Sequence, residues 1–442
     1  MRKSTGITWA AASARRLERQ FLAKSAQTGA PGADTADMAA DVAAAMLGAH
    51  AQVLSAAELS IGLRTENITR SDVRRALWPA APPPPPASAC VPAPAPSLVK
   101  THGPRGTVHL LPARDLPMWC AALTAVPDGP ASFAPDVRLD DERAGQVVTA
   151  IGDALDGRFL TIDELGEEVV ARTGPWAGDL VMPAFQTLWP RWRQVLHRAG
   201  QCGALSFGPH RGRRVTYTRP PRFTPLPPEE ATRLLVRRYL RAYGPATPRH
   251  FARWLAAPPG WARDVFAGLA REGEIEEVAF GEPGGGEAGA GADAGAEGSG
   301  GSGGAGGAGG AGTSAWVAAG DTVFPDAPER DELLRGVRLL PYFDAYVIAA
   351  QPRELLFPGA ARERALAGGQ AGNFPVLMVD GTVAGVWHQL RRGRRTTVTV
   401  EPLGRLTARR ERELTARVEQ VGRVLEARAE LVIGEVSVGP HA

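Results

Sequence analysis

The spacing of apolar positions along the chain predicts helices first and hairpins after them. Trp9, Leu17 and Phe21 predict a helix from a Thr8 cap to about Leu22, and Met38, Val42 and Met46 predict a second from about Asp34 to Leu47, stopped by Gly48. Ser55-Ala-Ala-Glu58 has capping-box spacing, in which the serine holds the amide three residues on and the glutamate reaches back. A third helix is therefore expected from Ser55 to about Leu63. A short helix near Ser71 to Trp78 follows. Leu98–His102 and Thr107–Leu111 then flank the turn Gly103-Pro-Arg-Gly106, a strand, turn, strand pattern. Helix, helix, short turn, helix and hairpin is the order of a winged helix.

The same order recurs without an evident sequence repeat. Residues 141–155 and 161–173 read as helices, and a third from about Pro190 to Ala199 leads into strands 202–207 and 214–218 around Gly208-Pro-His-Arg-Gly212. Helices at 229–242, 247–254 and 261–271 then precede strands 274–280 and 314–318, with Pro248 at a helix start, where its missing N–H costs nothing. From about Val337 strands dominate, at 339–348, 375–379, 382–390 and 396–402. An amphipathic helix from about Thr407 to Ala427 and a last strand at 431–438 close the chain. The predicted fold is α+β: three tandem winged-helix units in residues 1–125, 126–225 and 226–330, and a C-terminal β-barrel-like domain in 331–442.

Composition qualifies this picture in one respect. Gly 52 and Pro 38 are abundant among 442 residues, and the excess sits in two blocks, Pro82 to Pro96 and Gly281 to Gly312. Each block interrupts one predicted winged-helix unit, where an unstructured insertion costs only slowly growing loop-closure entropy. The chain is 44% hydrophobic, which excludes collagen and wholly disordered proteins. Cys90, Cys120 and Cys202 have no Cys-x-x-Cys or nearby His spacing, so neither a disulfide framework nor a metal site is expected. No apolar run reaches the roughly 18 residues of a membrane span. A soluble, cytoplasmic protein is expected.

Charge matters through its segregation, because the net charge is only +3. Leu180 to Pro228 holds eight arginines and no Asp or Glu, and His388 to Arg410 holds seven arginines against Glu401 alone. Asp128 to Glu168 is the reverse, with eleven acids and three arginines. Two basic runs in turn-rich strand contexts point to an anionic partner. The turn Arg391-Arg-Gly-Arg-Arg395, between two strands, suits a phosphate clamp or minor-groove contact through Arg391, Arg392, Arg394 and Arg395; Arg211, Arg213 and Arg214 sit in a similar turn.

Five runs stand out in order: Trp9 with its Ala-rich helix, Gly48-Ala-His-Ala-Gln-Val-Leu-Ser-Ala-Ala-Glu-Leu59, Leu98-Val-Lys-Thr-His-Gly-Pro-Arg-Gly-Thr-Val-His-Leu-Leu-Pro112, Leu340-Pro-Tyr-Phe-Asp-Ala-Tyr346 and Val379-Asp-Gly-Thr-Val-Ala-Gly-Val-Trp387. Together they resemble the winged-helix DNA glycosylases of the AlkZ/YcaQ type. The resemblance spans nearly the full length. It implies activity on alkylated purines, including interstrand crosslinks in some members, with neither a metal nor a lyase lysine. Self-resistance to a genotoxic product is the expected role. The family's polar-aliphatic-polar catalytic motif reads His50-Ala51-Gln52 here, the His-x-Gln branch, with a small central residue. His102 and Pro104 depart from the family's more usual aromatic and apolar residues.

The residues themselves fit that role. Two positions apart, His50 and Gln52 share a side only in extended chain, and they fall between the Gly48 stop and the Ser55 start. The connecting turn then opens the candidate recognition helix of a helix-turn-helix. A neutral imidazole accepts a proton near pH 7, and a glutamine amide holds water. DNA contacts are expected from Ser55, Lys100 and Arg105 beside the two arginine turns; His102 and His109 read as fold or phosphate-contact residues, and Asp344 as structural, with stabilisation of developing positive charge as its alternative. The expected partner is double-stranded DNA carrying alkylated purines, bound by a monomer with no cofactor and no protein partner. The alternative is a non-catalytic winged-helix DNA-binding regulator.

Overall fold

A computed structural model describes residues 6–27, 34–79, 95–129, 133–184, 187–281, 313–366 and 369–437. The glycine-rich block after Gly281 and most of the proline-rich block lie outside these residues. The first third comprises α1 (Trp9–Arg19), α2 (Thr35–Ala45), β1 (Ala49–His50), α3 (Leu54–Gly62), α4 (Arg70–Leu77), β2 (Leu98–His102), β3 (Val108–Pro112) and α5 (Leu116–Thr124). The middle comprises α6 (Asp141–Leu155), β4 (Leu160–Thr161), α7 (Ile162–Thr173), β5 (Leu180–Pro183), β6 (Leu188–Pro190), α8 (Leu196–Gln201), β7 (Ser206–Phe207) and β8 (Thr216–Thr218). Next come α9 (Pro228–Tyr243), α10 (Pro248–Leu255), α11 (Pro259–Arg271), β9 (Ile275–Phe280), β10 (Thr313–Ala318) and α12 (Ala327–Leu334). The last region holds β11 (Val337–Leu340), α13 (Ala345–Ala349), α14 (Arg353–Leu356), α15 (Ala360–Ala365), β12 (Val376–Val379), β13 (Thr382–Arg392), β14 (Arg395–Pro402), α16 (Ala408–Val424) and β15 (Arg428–Ile433). The architecture is α+β.

One pairing pattern occurs three times. The residues just before a helix lie beside the second strand of a later hairpin: Ala49 and His50 opposite Leu110 and His109, Leu160 and Thr161 opposite Tyr217 and Thr216, and the single bridge Ala246 to Trp316. The resulting strand orders are β1-β3-β2, β4-β8-β7 and the two-stranded β10-β9. Side-chain caps set several of the helix starts. Thr8, Asp34, Thr69, Thr161 and Thr247 each accept a backbone amide, and Asp72, Glu164 and His250 reach back in capping boxes at the last three.

The C-terminal sheet runs β11-β12-β13-β14-β15, antiparallel except for the final parallel pair. Its first and last strands are not paired to each other, so it is a half-barrel. Helix α16 makes the crossover that a parallel pair requires, and packs Leu414, Val418 and Val421 on Leu377, Trp387 and Val400. Leu59 of α3 and Leu63 just after it join this core. Helix α1 likewise shares a core with the last third of the chain, placing Trp9, Ala12 and Leu17 with Tyr346, Val376 and Val386.

Three sequence expectations are corrected. The strand expected at 339–348 ends at Leu340, because Pro341 interrupts it and Asp344 accepts the Tyr346 amide at 3.0 Å to start α13. The strand expected at 431–438 is β15, which begins at Arg428 in register with Arg395. Helix α3 starts at Leu54 with Val53 as its uncapped N-terminal residue. Glu58 cannot reach back to Ser55, since it is fully buried and its Oε1 accepts from Arg74 Nε at 2.6 Å.

Candidate active site

Delivery of His50 begins at the end of α2. Leu47 and Gly48 adopt left-handed φ of 57° and 95°, and the Gly48 amide reaches back to the Ala43 carbonyl at 2.8 Å, the closing bond of a Schellman turn. Glycine is required here, because a Cβ would stand 2.7 Å from Leu111 Cδ2 as well as in a left-handed conformation. Tyr243 of α9 fixes the turn from outside by donating its hydroxyl to the Met46 carbonyl at 2.6 Å. The chain then pairs as β1, and the Ala51 amide donates to the Val108 carbonyl at 2.7 Å.

His50 is 7% exposed. Its ring meets His109 edge-on, with centroids 5.1 Å apart, and Phe343 at 4.6 Å. Burial holds His109 neutral, and a backbone contact selects its tautomer. Burial pushes its pKa well below the usual histidine value, aided by neighbouring His50 and Arg105. Its Nδ1 lies 2.8 Å from the Thr107 carbonyl, which can only accept, so Nδ1 carries the proton. Gly103 backs the ring so closely that a Cβ there would lie 2.8 Å from that nitrogen.

Phe343 holds the other wall from a left-handed φ of 55°, anchored by its amide on the Gly372 carbonyl at 2.8 Å. Next to it Asp344 is fully buried and forks onto Arg64 through bonds of 2.7 and 2.8 Å, while Ser60 donates to it at 2.9 Å. Asp344 is therefore a brace between α3 and the Phe343 turn. Gln52 and Val53 are exposed in the bend that follows β1, so Gln52 presents its amide to solvent beside the nearly covered His50. Helix α3 is buried from Ala56 through Gly62. It therefore cannot serve as the groove-lying recognition helix that the sequence suggested.

The predicted DNA contacts separate into two groups. Lys100 is buried, with its ammonium 4.9 Å from the centre of the Phe207 ring, and burial lowers its pKa. Arg105 donates to the Trp254 carbonyl at 2.6 Å. Both lie on a hairpin clamped between α8 and α10, because Thr101 donates to the Gly200 and Leu205 carbonyls, His102 packs on Gly200 and Arg105 reaches Trp254. Neither cation is thus presented as a surface phosphate contact. Ser55 is half-buried in the first turn of α3. Arg211 bridges Glu164, at 2.7 Å, to the Phe159 carbonyl, whereas Arg213 and Arg214 are exposed with no ion pair among the described residues.

The β13–β14 hairpin keeps its charge outward. Arg391, Arg392, Arg394 and Arg395 are all exposed and, among the described residues, none pairs with an acid. The strand register adds a cation that local sequence could not supply. Arg392 faces Arg395, which faces Arg428 across the parallel pair, so three guanidinium groups stand on one sheet face with strands ~4.8 Å apart. Like charges directly opposed are destabilising without an anion. The hairpin strand also reaches the His50 wall, since the Tyr342 hydroxyl is 3.5 Å from His388 Nδ1 on β13 and the Tyr342 ring is 6.3 Å from that of Phe343.

A family model described as DNA glycosylase AlkZ-like matches residues 93–424. The chain belongs to the AlkZ-like DNA glycosylase family. The match begins beyond the His50–Gln52 turn. Among curated proteins, the chain is similar to an interstrand DNA cross-link repair glycosylase of Streptomyces sahachiroi, with 29% identity over 256 residues, 56% of this chain. The chain spans 61% of that relative's length. Among solved structures, Streptomyces sahachiroi DNA glycosylase AlkZ superimposes with a TM-score of 0.67 at 25% identity, covering 97% of this chain and 100% of the other. Among the described residues, no His, Cys, Asp and Glu cluster has the makings of a metal site, and no helix is long and apolar enough to cross a membrane.

Proposed function

We propose that the protein is a monofunctional DNA glycosylase that hydrolyses the N-glycosidic bond of N7- and N3-alkylated purines in double-stranded DNA, including purines joined in interstrand crosslinks. The observation that carries this reading is the paired presentation of His50 and Gln52. A rigid turn delivers the imidazole between two aromatic walls, and the adjoining bend leaves the amide open to solvent. The threefold recurrence of pre-helix residues beside a hairpin strand supports three winged-helix units in 1–125, 126–225 and 226–330. The half-barrel of 331–442 contributes the arginine row.

An alkylated purine is cationic, so it departs as a neutral base without a strong acid or a metal. The C1′–N bond breaks with its electron pair leaving on the base, and C1′ acquires oxocarbenium character. Gln52 orients a water against C1′. His50 takes that water's proton as the new C1′–O bond forms, leaving an abasic site. Arg391, Arg392, Arg394, Arg395 and Arg428, with Arg213 and Arg214, hold phosphates and set register without reading sequence.

The test is release of base from duplex carrying N7-methylguanine under single-turnover conditions. His50→Ala is expected to slow release by about 100-fold or more while duplex binding persists. Undiminished release would remove His50 from the mechanism. Absence of release by the parent protein from both monoadduct and crosslinked DNA would favour the DNA-binding regulator.

A further inference from the structure

Arginine collects at a second place that the hairpin does not reach. Arg249 and Arg253 lie four residues apart on α10, hence on one face, and both are exposed. Arg353 arrives from α14, with its Nη atoms on the Gly369 and Ile348 carbonyls at 3.1 and 3.3 Å and its Nε buried without a hydrogen-bond partner. Arg105 adds a fourth guanidinium against the Trp254 carbonyl at the end of the same helix. Among the described residues none of the four makes an ion pair.

These groups feel one another. Burial and then Arg253 lower the Arg353 pKa, against the pull of Glu354 alone. Burial, followed by Arg16, Arg253 and Arg249, pushes His250 down to about 4. Gathering like charges from three separated segments costs stability that a bound anion would offset. The bank also touches the walls of His50. Arg105 acts on His109, while Arg353 holds Ile348, which flanks Gly372 together with Phe343.

We propose that Arg249, Arg253 and Arg353 form a second phosphate-binding bank, so that duplex DNA bound at His50 is gripped by this bank as well as by the arginine hairpin. The inference rests on the DNA-acting reading above and adds the contacts made through α10. Its chemistry is a sugar-phosphate backbone, since the exposed guanidinium groups of Arg249 and Arg253, backed by the half-buried Arg353, suit phosphate oxygens.

The test uses the full chain and an undamaged fluorescent duplex, read by anisotropy between about 50 and about 200 mM salt. The variant Arg249→Glu/Arg253→Glu is expected to weaken binding by about an order of magnitude and to flatten the log Kd against log salt slope by about 2, close to one unit per lost phosphate contact. A combined variant with Arg391→Gln/Arg392→Gln should flatten the slope further, as separate contacts do. Affinity and slope unchanged in the α10 variant, with its circular dichroism preserved, would overturn the bank. Arg353→Lys, which keeps charge but loses the fork, should weaken binding by less than the α10 pair; an equal or greater loss with an unchanged slope would assign Arg353 to folding instead. Because binding to undamaged DNA is the readout, failure of the glycosylase reading leaves this result separately interpretable.

Discussion

Gly103→Ala tests whether the histidine wall behind His50 is rigid. A Cβ at position 103 would lie 2.8 Å from His109 Nδ1, 3.0 Å from Cγ and 3.2 Å from Cβ. The backbone there has a φ of −124°, so the substitution brings no left-handed strain. His109 is 4% exposed and His50 lies against its ring, so a displaced His109 disturbs the candidate catalytic ring. Overpacking of this kind costs about 1–3 kcal/mol, and loss of the bond to the Thr107 carbonyl about 1 kcal/mol more. Gly106→Ala, three residues on, is the control. It has a φ of +66° but nothing within 4 Å of an added Cβ, so it carries only conformational strain of about 1–2 kcal/mol. Urea unfolding should show the larger loss for Gly103→Ala, and single-turnover base release should slow only in that variant. A Gly106→Ala protein at least as destabilised as Gly103→Ala, or undiminished base release from Gly103→Ala, would refute a rigid wall.

Two further outcomes follow from buried groups. Asp344→Ala leaves Arg64 fully buried without its carboxylate and should cost about 3–5 kcal/mol in urea denaturation, with Arg64→Met/Asp344→Leu recovering much of that loss; a loss below about 1 kcal/mol would mean the brace carries little. Burial lowers the pKa of His102 and His250 to about 4 and pushes that of His109 well below the usual histidine value, so the neutral rings contribute stability that is complete above about pH 6.5 and is lost as pH falls toward about 4. The urea midpoint should drop across that window and drop less in His250→Gln, whereas a flat profile would show that these rings are not held neutral.

The order of elements was legible because it is written locally. Thr8, Asp34, Thr161 and Thr247 cap helices at the positions their sequences announce, and Gly48 ends its helix because only a residue without a side chain fits beside Leu111. The Ser55-Ala-Ala-Glu58 spacing misled for a tertiary reason: Arg74 and complete burial claimed the glutamate that a cap needs. Lys100 and Arg105 misled likewise, since a charged hairpin looks the same in sequence whether it faces solvent or is clamped between α8 and α10.

By itself, then, the sequence determined the helix-then-hairpin order, the extended His50-x-Gln52 turn and the basic hairpin, because caps, turns and alternation act over a few residues. Only the tertiary structure decided what surrounds His50, with Phe343 arriving from the last third of the chain and Tyr243 from α9 to pin its turn. It also decided which arginines stand together. Arg428 joins Arg395 through a parallel pairing, and Arg353 approaches Arg253 across separate helices. Such meetings depend on burial and strand register over hundreds of residues, and no local pattern encodes them.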